Sequence, residues 1–136
     1  MAIQKTFLDT SGFYSAISAE DIHHGQVNTV LRDSKRSFFT TDWVLGESVN
    51  LFTARRHAHL GIRLLEQVGA SPNIKIIFGG ENLFWAARSM LFQYRDHGFP
   101  FTDCTSFVVM RELGIKDALT VDRHFRTAGF HPLLVD

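Results

Sequence analysis

The sequence is short of several things, and each shortage excludes something. Its 136 residues include one cysteine, Cys104, so no disulfide can staple the chain internally. Only three prolines occur, Pro72, Pro100 and Pro132, and they mark separate connections without forming a linker. There is no internal repeat and no low-complexity segment. No apolar run approaches the ~20 residues of a membrane helix. The opening, from Met1 to Phe7, has neither a long apolar stretch nor a small-residue cleavage site, so no secretory leader is expected. Neither charge is in excess: 14 Lys+Arg stand against 14 Asp+Glu. That balance argues against a strongly basic protein that coats nucleic acid. These absences together point to one domain over residues 1–136, in a reducing, cytoplasmic setting and with no membrane role.

What is present suits a packed core. Hydrophobic residues make up 45% of the chain and charged ones 21%, which excludes wholesale disorder. Two kinds of segment alternate. Short β-prone runs fall at residues 3–8, 37–40, 73–78, 116–121 and 130–135. Between them, helical spacing of apolar residues predicts helices over 13–17, 19–36, 43–55, 58–68, 81–96, 103–113 and 122–128. Thr41 or Asp42 suits the N-cap of the third helix and Thr102 that of the sixth, while Gly69, Gly114 and Gly129 are stops. Strands separated by helices imply a parallel sheet covered on both faces. The expected fold class is α/β, a three-layer α/β/α sandwich with a central parallel sheet. In such sheets ligands gather outside the carboxyl ends of the strands, at a topological switch point.

Four acids fall where that rule directs attention. Asp9 follows Thr6-Phe7-Leu8, and Asp122 follows Leu119-Thr120-Val121, each at the end of a predicted strand. Glu47 lies about one turn into the third helix, and Asp103 stands beside Thr102. Strand carboxyl ends and the helix starts that follow share one edge of the sheet, so the four can converge. Converged carboxylates repel one another and resist ionisation. A hard divalent cation, Mg²⁺ or Mn²⁺, removes that conflict. A metal held in this way activates water and stabilises a phosphate under attack, which points to phosphodiester hydrolysis. Each acid also has a plainer explanation alone: a turn former or cap at Asp9 and Asp122, a helix-dipole partner at Asp103, a solvated helix position at Glu47. Joint placement is what favours a site. Asp42 reads mainly as a cap.

The segments that carry these acids resemble, in order and spacing, the four motifs of PIN domains. They are Phe7-Leu8-Asp9-Thr10-Ser11, Val44-Leu45-Gly46-Glu47, Phe101-Thr102-Asp103-Cys104 and Leu119-Thr120-Val121-Asp122-Arg123-His124-Phe125, the last followed by Ala128-Gly129-Phe130. The resemblance covers essentially the whole chain. It implies a PIN-like sandwich, an acidic pocket holding Mg²⁺ or Mn²⁺, and endoribonuclease activity. Carried over by position, Asp9 and Asp103 become the direct metal ligands, and Glu47 and Asp122 complete the catalytic and metal site. The hydroxyls of Thr10, Ser11 and Thr102 would orient these acids. Compact bacterial PIN proteins of this length include the toxins of VapBC-type toxin–antitoxin pairs, which typically form homodimers. The expected partners are thus an RNA substrate, a cognate antitoxin and a second copy of the chain. The other readings are a stand-alone PIN-like RNA-processing nuclease and a catalytically silent RNA- or protein-binding module. The presence of all four acids weighs against the silent one.

Arg55, Arg56, Arg123 and Arg126 are candidate RNA contacts, although Arg55 and Arg56 equally suit the negative end of a helix. His124 reads as a packing residue beside Phe125. His23 and His24 are adjacent on a predicted helix and point apart, so they make no zinc pair. Cys104 reads as a small buried residue, because neighbouring carboxylates oppose a thiolate. Of the 13 phenylalanines, most suit the core or an interface, with Phe38, Phe39 and Phe52 as candidates for base stacking. The helix over 81–96 carries Phe84, Trp85, Met90, Leu91 and Phe92 around more of its surface than one core face needs, which suits a dimer or antitoxin interface. If four of the acids sit in one pocket, the rest of the chain is mildly positive. Balanced charge is then compatible with RNA cleavage.

Overall fold

The computed structural model describes residues 2–135, in which strands and helices alternate. The strands are β1 (Gln4–Leu8), β2 (Arg36–Thr41), β3 (Ile74–Ile77), β4 (Asp117–Leu119) and β5 (His131–Pro132). The helices are α1 (Thr10–Ile17), α2 (His24–Leu31), α3 (Asp42–Ala54), α4 (Ala58–Gly69), α5 (Gly80–Gln93), α6 (Phe101–Leu113) and α7 (His124–Thr127), with a 3-10 turn at Arg95–His97. The strands form one all-parallel sheet in the order β3-β2-β1-β4-β5. Helix α1 packs with α2, α3 and α4, and α6 packs with α5 and α7, so the sheet lies inside an α/β/α sandwich. Among the described residues, no helix is long and apolar enough to cross a membrane.

The central strand shows why the sheet is internal. Thr6, Phe7 and Leu8 are all buried, although successive side chains point to opposite faces of a strand. Both faces of β1 are therefore covered, the usual condition of parallel sheets. Phe7, Phe38, Phe52, Phe107 and Phe125 are the bulkiest side chains shut off from solvent. Phe107 organises one end of this core, with ring centroids 5.0 Å from Phe125, 5.2 Å from Phe99 and 5.6 Å from Phe130. Phe38 and Phe52 are thereby corrected as base-stacking candidates, since a buried ring has no face to offer.

Several element ends differ from expectation for local reasons. The predicted helix over 19–36 is only His24–Leu31. Asp21 interrupts it, because its Oδ1 accepts from Ser15 Oγ and from the His23 N–H, each at 2.8 Å, and so holds a turn. Helix α1 begins at Thr10, directly after Asp9 ends β1. Helix α6 begins at Phe101, with Pro100 in extended conformation (φ −59°, ψ 151°) at the N-cap, so Thr102 lies inside the first turn and is not the cap. Thr41 is the N-cap of α3, its Oγ1 accepting from Val44 N–H at 3.1 Å. Asp42 is the first helical residue and accepts weakly from Gly79 N–H at 3.4 Å. The final strand is two residues long, well short of 130–135.

Strand order then determines where a site can form. The chain lays down β1, β2 and β3 in one direction, and returns past β1 to add β4 and β5. The reversal falls between β1 and β4, and the crevice lies at their carboxyl ends. Helix α1 presses against this edge. A Cβ on Gly12 would lie 2.3 Å from the Leu119 carbonyl oxygen, so only glycine allows α1 so close to the end of β4. At the opposite edge a buried polar group ties the strand starts together. Arg36 of β2 donates to Thr6 Oγ1 at 2.8 Å and to Asp117 Oδ2 at 3.0 Å. Gln4 donates to that same oxygen, and His131 Nδ1 lies 3.2 Å from Asp117 Oδ1.

Gly12→Ala is expected to lower stability by about 1–3 kcal/mol, the usual range for an overfilled, well-packed contact. Gly25→Ala, on the exposed start of α2 where a Cβ meets nothing within 4 Å, is expected to be neutral or slightly stabilising. Urea unfolding followed by circular dichroism compares the two.

Candidate active site

Asp9 marks the end of β1. Its backbone is extended, its carbonyl accepts from Phe13 N–H at 3.0 Å, and its side chain does not cap the helix it precedes. The carboxylate turns inward and is 4% exposed. Oδ2 accepts from Thr120 Oγ1 at 2.7 Å, while Oδ1 is buried with no hydrogen-bond partner among the described residues. Thr120 is itself held. With its proton given to Asp9, it can only accept from the Asp122 N–H at 3.0 Å and from Ser11 Oγ at 3.1 Å. Ser11 in turn accepts from Val121 N–H at 3.0 Å. One hydroxyl relay thus joins the ends of β1 and β4.

The other three acids come from separate elements. Asp103, in the first turn of α6, is buried. Asp122 follows β4, and its Oδ1 accepts from His124 N–H at 2.8 Å. The His124 ring bridges the pair, Nδ1 lying 3.2 Å from Asp103 Oδ2 and 3.3 Å from Asp122 Oδ1. One ligating atom from each of Asp103, Asp122 and His124 lies within 4.8 Å of the others. Glu47 stands on the exposed side of α3, where its Oε1 accepts from Thr10 Oγ1 at 2.7 Å. Beside it opens a cavity of about 420 Å³, lined by Asp42, Trp43, Gly46, Glu47, Asn50 and Thr102.

The electrostatics follow from burial. Loss of water raises the Asp9 carboxyl to about 6, against hydrogen bonding from Thr120 and from the Thr10 backbone that lowers it, with Asp122 and Glu47 adding repulsion. Asp103 is pushed up to about 9, first by burial and then by the negative charges of Asp9 and Asp122 and the hydrogen bond with Asp122. The four acids therefore feel one another directly. Buried carboxyls that resist ionisation, one with an unpaired oxygen, make a donor set suited to a hard cation, which would neutralise the charge that burial penalises.

Asp9, Glu47, Asp103 and Asp122 thus meet at the switch point, with Thr10 on Glu47 and Ser11 acting on Asp9 through Thr120. Thr102 lines the cavity, but among the described residues its hydroxyl makes no hydrogen bond to an acid; its carbonyl accepts from Ser106 Oγ at 3.2 Å. Among the described residues, Arg55, Arg56 and Arg123 make no side-chain hydrogen bond to the four acids. Arg55 lies over the Tyr14 ring at 4.7 Å, Arg126 reaches the Val135 carbonyl at 3.4 Å, and Arg56 and Arg123 are exposed. His124 corrects a sequence expectation. It does pack edge-on against Phe99, centroids 5.5 Å apart, but its ring nitrogen belongs to the acidic pocket. Thr120 was missed altogether. Thr120 and His124 both lie within two residues of Asp122, around the short connection from β4 to α7, and that proximity was the available signal. Cys104 is fully buried, and burial together with the Asp103 charge pushes its thiol up, which leaves it inert. His24 Nδ1 is engaged with the Ser15 carbonyl at 2.8 Å, well away from any zinc pairing with His23.

A parallel α/β/α sandwich whose switch point gathers four acids is the PIN-like class of domain that the sequence motifs resemble. No family model matches the chain. Two relatives, each named 23S rRNA-specific endonuclease VapC20, come from Mycobacterium tuberculosis strains CDC 1551 / Oshkosh and ATCC 25618 / H37Rv. Both are 30% identical over 124 residues, which is 91% of this chain and 94% of theirs. The crystal structure of Mycobacterium tuberculosis VapC20, described as a sarcin-ricin loop cleaving toxin, superposes with a TM-score of 0.83 at 27% identity, covering 92% of this chain and 95% of that one. The structure of VapBC2 from Rickettsia felis, bound to a DNA fragment from their promoter, shares the fold with a TM-score of 0.67 at 11% identity, covering 95% and 96%. The chain belongs to the VapC family of PIN-domain ribonuclease toxins.

A pH dependence follows from the raised carboxyls. Folded Asp103 holds its proton to about pH 9 and folded Asp9 to about 6, whereas both release it near 3.8 when unfolded. Between those limits the folded state binds more protons, so stability is greatest below the unfolded value and is lost as pH rises towards 9. In EDTA, the melting temperature is expected to fall between pH 5 and 8.5 by several degrees more for the wild type than for Asp103→Asn, which has no carboxyl to ionise. Equal slopes in differential scanning fluorimetry would contradict this.

Proposed function

We propose that the chain is a divalent-metal-dependent endoribonuclease that acts as one domain over residues 1–136 in the cytoplasm. It would be the toxin of a toxin–antitoxin pair. The buried, unpaired Oδ1 of Asp9 beside the ionisation-resistant Asp103 carries this reading. Such a pair is costly to bury without a cation and useful with one. Asp9, Asp103, Asp122 and Glu47 are the residues that would hold Mg²⁺ or Mn²⁺, with His124 adjoining. When bound, such a metal supplies an activated water and neutralises charge on the attacked phosphate.

The chain's own groups do the positioning. Thr120 fixes one oxygen of Asp9 and leaves the other free, Ser11 fixes Thr120, and Thr10 fixes Glu47. His124 holds Asp103 and Asp122 in register through one ring nitrogen. Arg123, next to Asp122, is the nearest candidate in sequence for a phosphate contact, with Arg55, Arg56 and Arg126 as further candidates on the RNA path. The substrate of the VapC20 relatives, 23S rRNA, is the first target to test.

The partner surface is α5. Its Trp85 and Phe92 are 52% and 46% exposed, with the Arg88 guanidinium 4.2 Å from the Phe92 ring. Met90, from the same predicted apolar set, is buried in the core. This exposed aromatic face suits a second copy or an antitoxin.

In vitro cleavage of 23S rRNA with Mn²⁺ is expected to vanish with EDTA and in Asp9→Asn and Asp103→Asn. It is expected to drop roughly 10–100-fold in Thr120→Val, the usual loss when a ligand's hydrogen-bond support is removed. EDTA-resistant cleavage, or full activity in both Asp variants, would overturn the reading. Absence of RNA cleavage by the wild type under all metal conditions would favour a silent binding module.

A further inference from the structure

We propose that the cavity beside the acidic pocket is a nucleobase subsite, in which the Trp43 ring stacks on an unpaired RNA base next to the cleaved phosphate and Asn50 meets the polar edge of that base. The proposal rests on the ribonuclease reading above and names how the same site takes hold of its substrate.

The cavity's position comes from helix geometry. Asp42, Trp43, Gly46, Glu47 and Asn50 recur at the spacing of one helix face, and Thr102 of α6 closes the opposite side. Glu47 belongs both to this wall and, through Thr10, to the acidic group, and Thr102 immediately precedes Asp103. A group seated here is therefore a direct neighbour of the carboxylates. The volume, about 420 Å³, lies within the range of small-molecule sites. A Cβ on Gly46 would meet nothing within 4 Å, so the space above that stretch of α3 is open.

The chemistry of the lining selects a base over a phosphate. Two carboxylates, Asp42 and Glu47, border the cavity, and no Lys or Arg lines it. An anion would be repelled, whereas the uncharged, donor-rich part of a nucleotide would not. Trp43 is only partly buried, and it is braced from behind. Its ring lies 5.2 Å from Phe101, which lies 5.4 Å from Phe84, itself 39% exposed. A ring held by packing on one side and open to a cavity on the other is prepared for stacking at little entropic cost. Asn50 is exposed and, among the described residues, makes no side-chain hydrogen bond, so its amide has both donor and acceptor to offer. Balanced overall charge strengthens the case. With 14 positive and 14 negative residues, the chain has little counterion-release affinity to draw on, and stacking is the remaining sequence-tolerant source of grip on an unpaired strand.

The chain has two tryptophans, so Trp85→Phe leaves Trp43 as sole reporter. In that variant carrying Asp103→Asn to prevent cleavage, a short unpaired RNA oligonucleotide is expected to quench Trp43 fluorescence. The same oligonucleotide made abasic beside the mapped cleavage position is expected not to. In the cleavage-competent chain, Trp43→Ala is expected to raise KM about ten- to a hundredfold while changing kcat much less, and Trp43→Phe to restore most of the loss. Gly46→Leu fills the open space from an exposed helix position and is expected to raise KM in the same way, which keeps the test valid if Trp43→Ala folds poorly. RNA binding seen by anisotropy without quenching, or unchanged KM in both Trp43→Ala and Gly46→Leu, would overturn the subsite. Either result with intact metal-dependent cleavage by the wild type leaves the ribonuclease reading standing, whereas loss of that cleavage refutes the reading itself.

Discussion

Burial of carboxylates at the junction of β1 and β4 is the constraint around which the rest of the structure is arranged. Asp9 and Asp103 are removed from water, yet among the described residues Oδ1 of Asp9 has no hydrogen-bond partner. A structural carboxylate in that position would ordinarily collect backbone N–H groups or an arginine. Here the donors are few: the Thr120 hydroxyl and the Thr10 backbone act on Asp9, the His124 backbone N–H on Asp122, and one imidazole nitrogen is shared by Asp103 and Asp122. These donors leave the buried charge only partly satisfied, which raises the Asp9 and Asp103 carboxyls and suits the pocket to a cation.

The scaffold meets that cost elsewhere. At the opposite edge of the sheet, Asp117 is equally buried but fully engaged, with Arg36, Gln4 and His131 all directed at its two oxygens. Two buried aspartates on one sheet thus have opposite treatments. Asp117 joins β1, β2, β4 and β5 and is a structural anchor, since losing one partner of a buried pair is strongly destabilising. Asp9 joins β1 to β4 only through Thr120, and remains available. Gly12 completes the arrangement by letting α1 touch the end of β4, which brings the relay from Ser11 to Thr120 within hydrogen-bond reach.

Much of this was legible from sequence because the signals are local and periodic. Strands ending shortly before Asp9 and Asp122, helices beginning near Asp42 and Asp103, and the α/β alternation all follow from short-range patterns, while convergence of the four acids on one edge was an expectation that rested on the sheet rule. Two kinds of feature escaped. Helix ends depended on side-chain competition that periodicity does not register, as where Asp21 cuts the helix expected over 19–36. Roles set by a distant partner also escaped. His124 looked like packing beside Phe125 until Asp103, 21 residues earlier, was placed against it. Thr120 looked like a strand residue until Asp9, 111 residues away, received its proton. Phe38 and Phe52 erred the other way: aromatic identity alone does not tell an interior ring from one that reaches a cavity, as the partly buried Trp43 does.

The amino-acid order by itself determined the alternation of strands and helices and pointed to a parallel sheet with acids after its strands and near its helix starts, because those patterns depend on spacing within one or two turns. Only the tertiary structure decided which oxygen of Asp9 has no partner, that one imidazole bridges Asp103 and Asp122, and that the cavity beside them is lined by an aromatic ring and two acids with no cation. Those properties depend on burial and on contacts between segments far apart in the chain, and neither is encoded in any local run of residues.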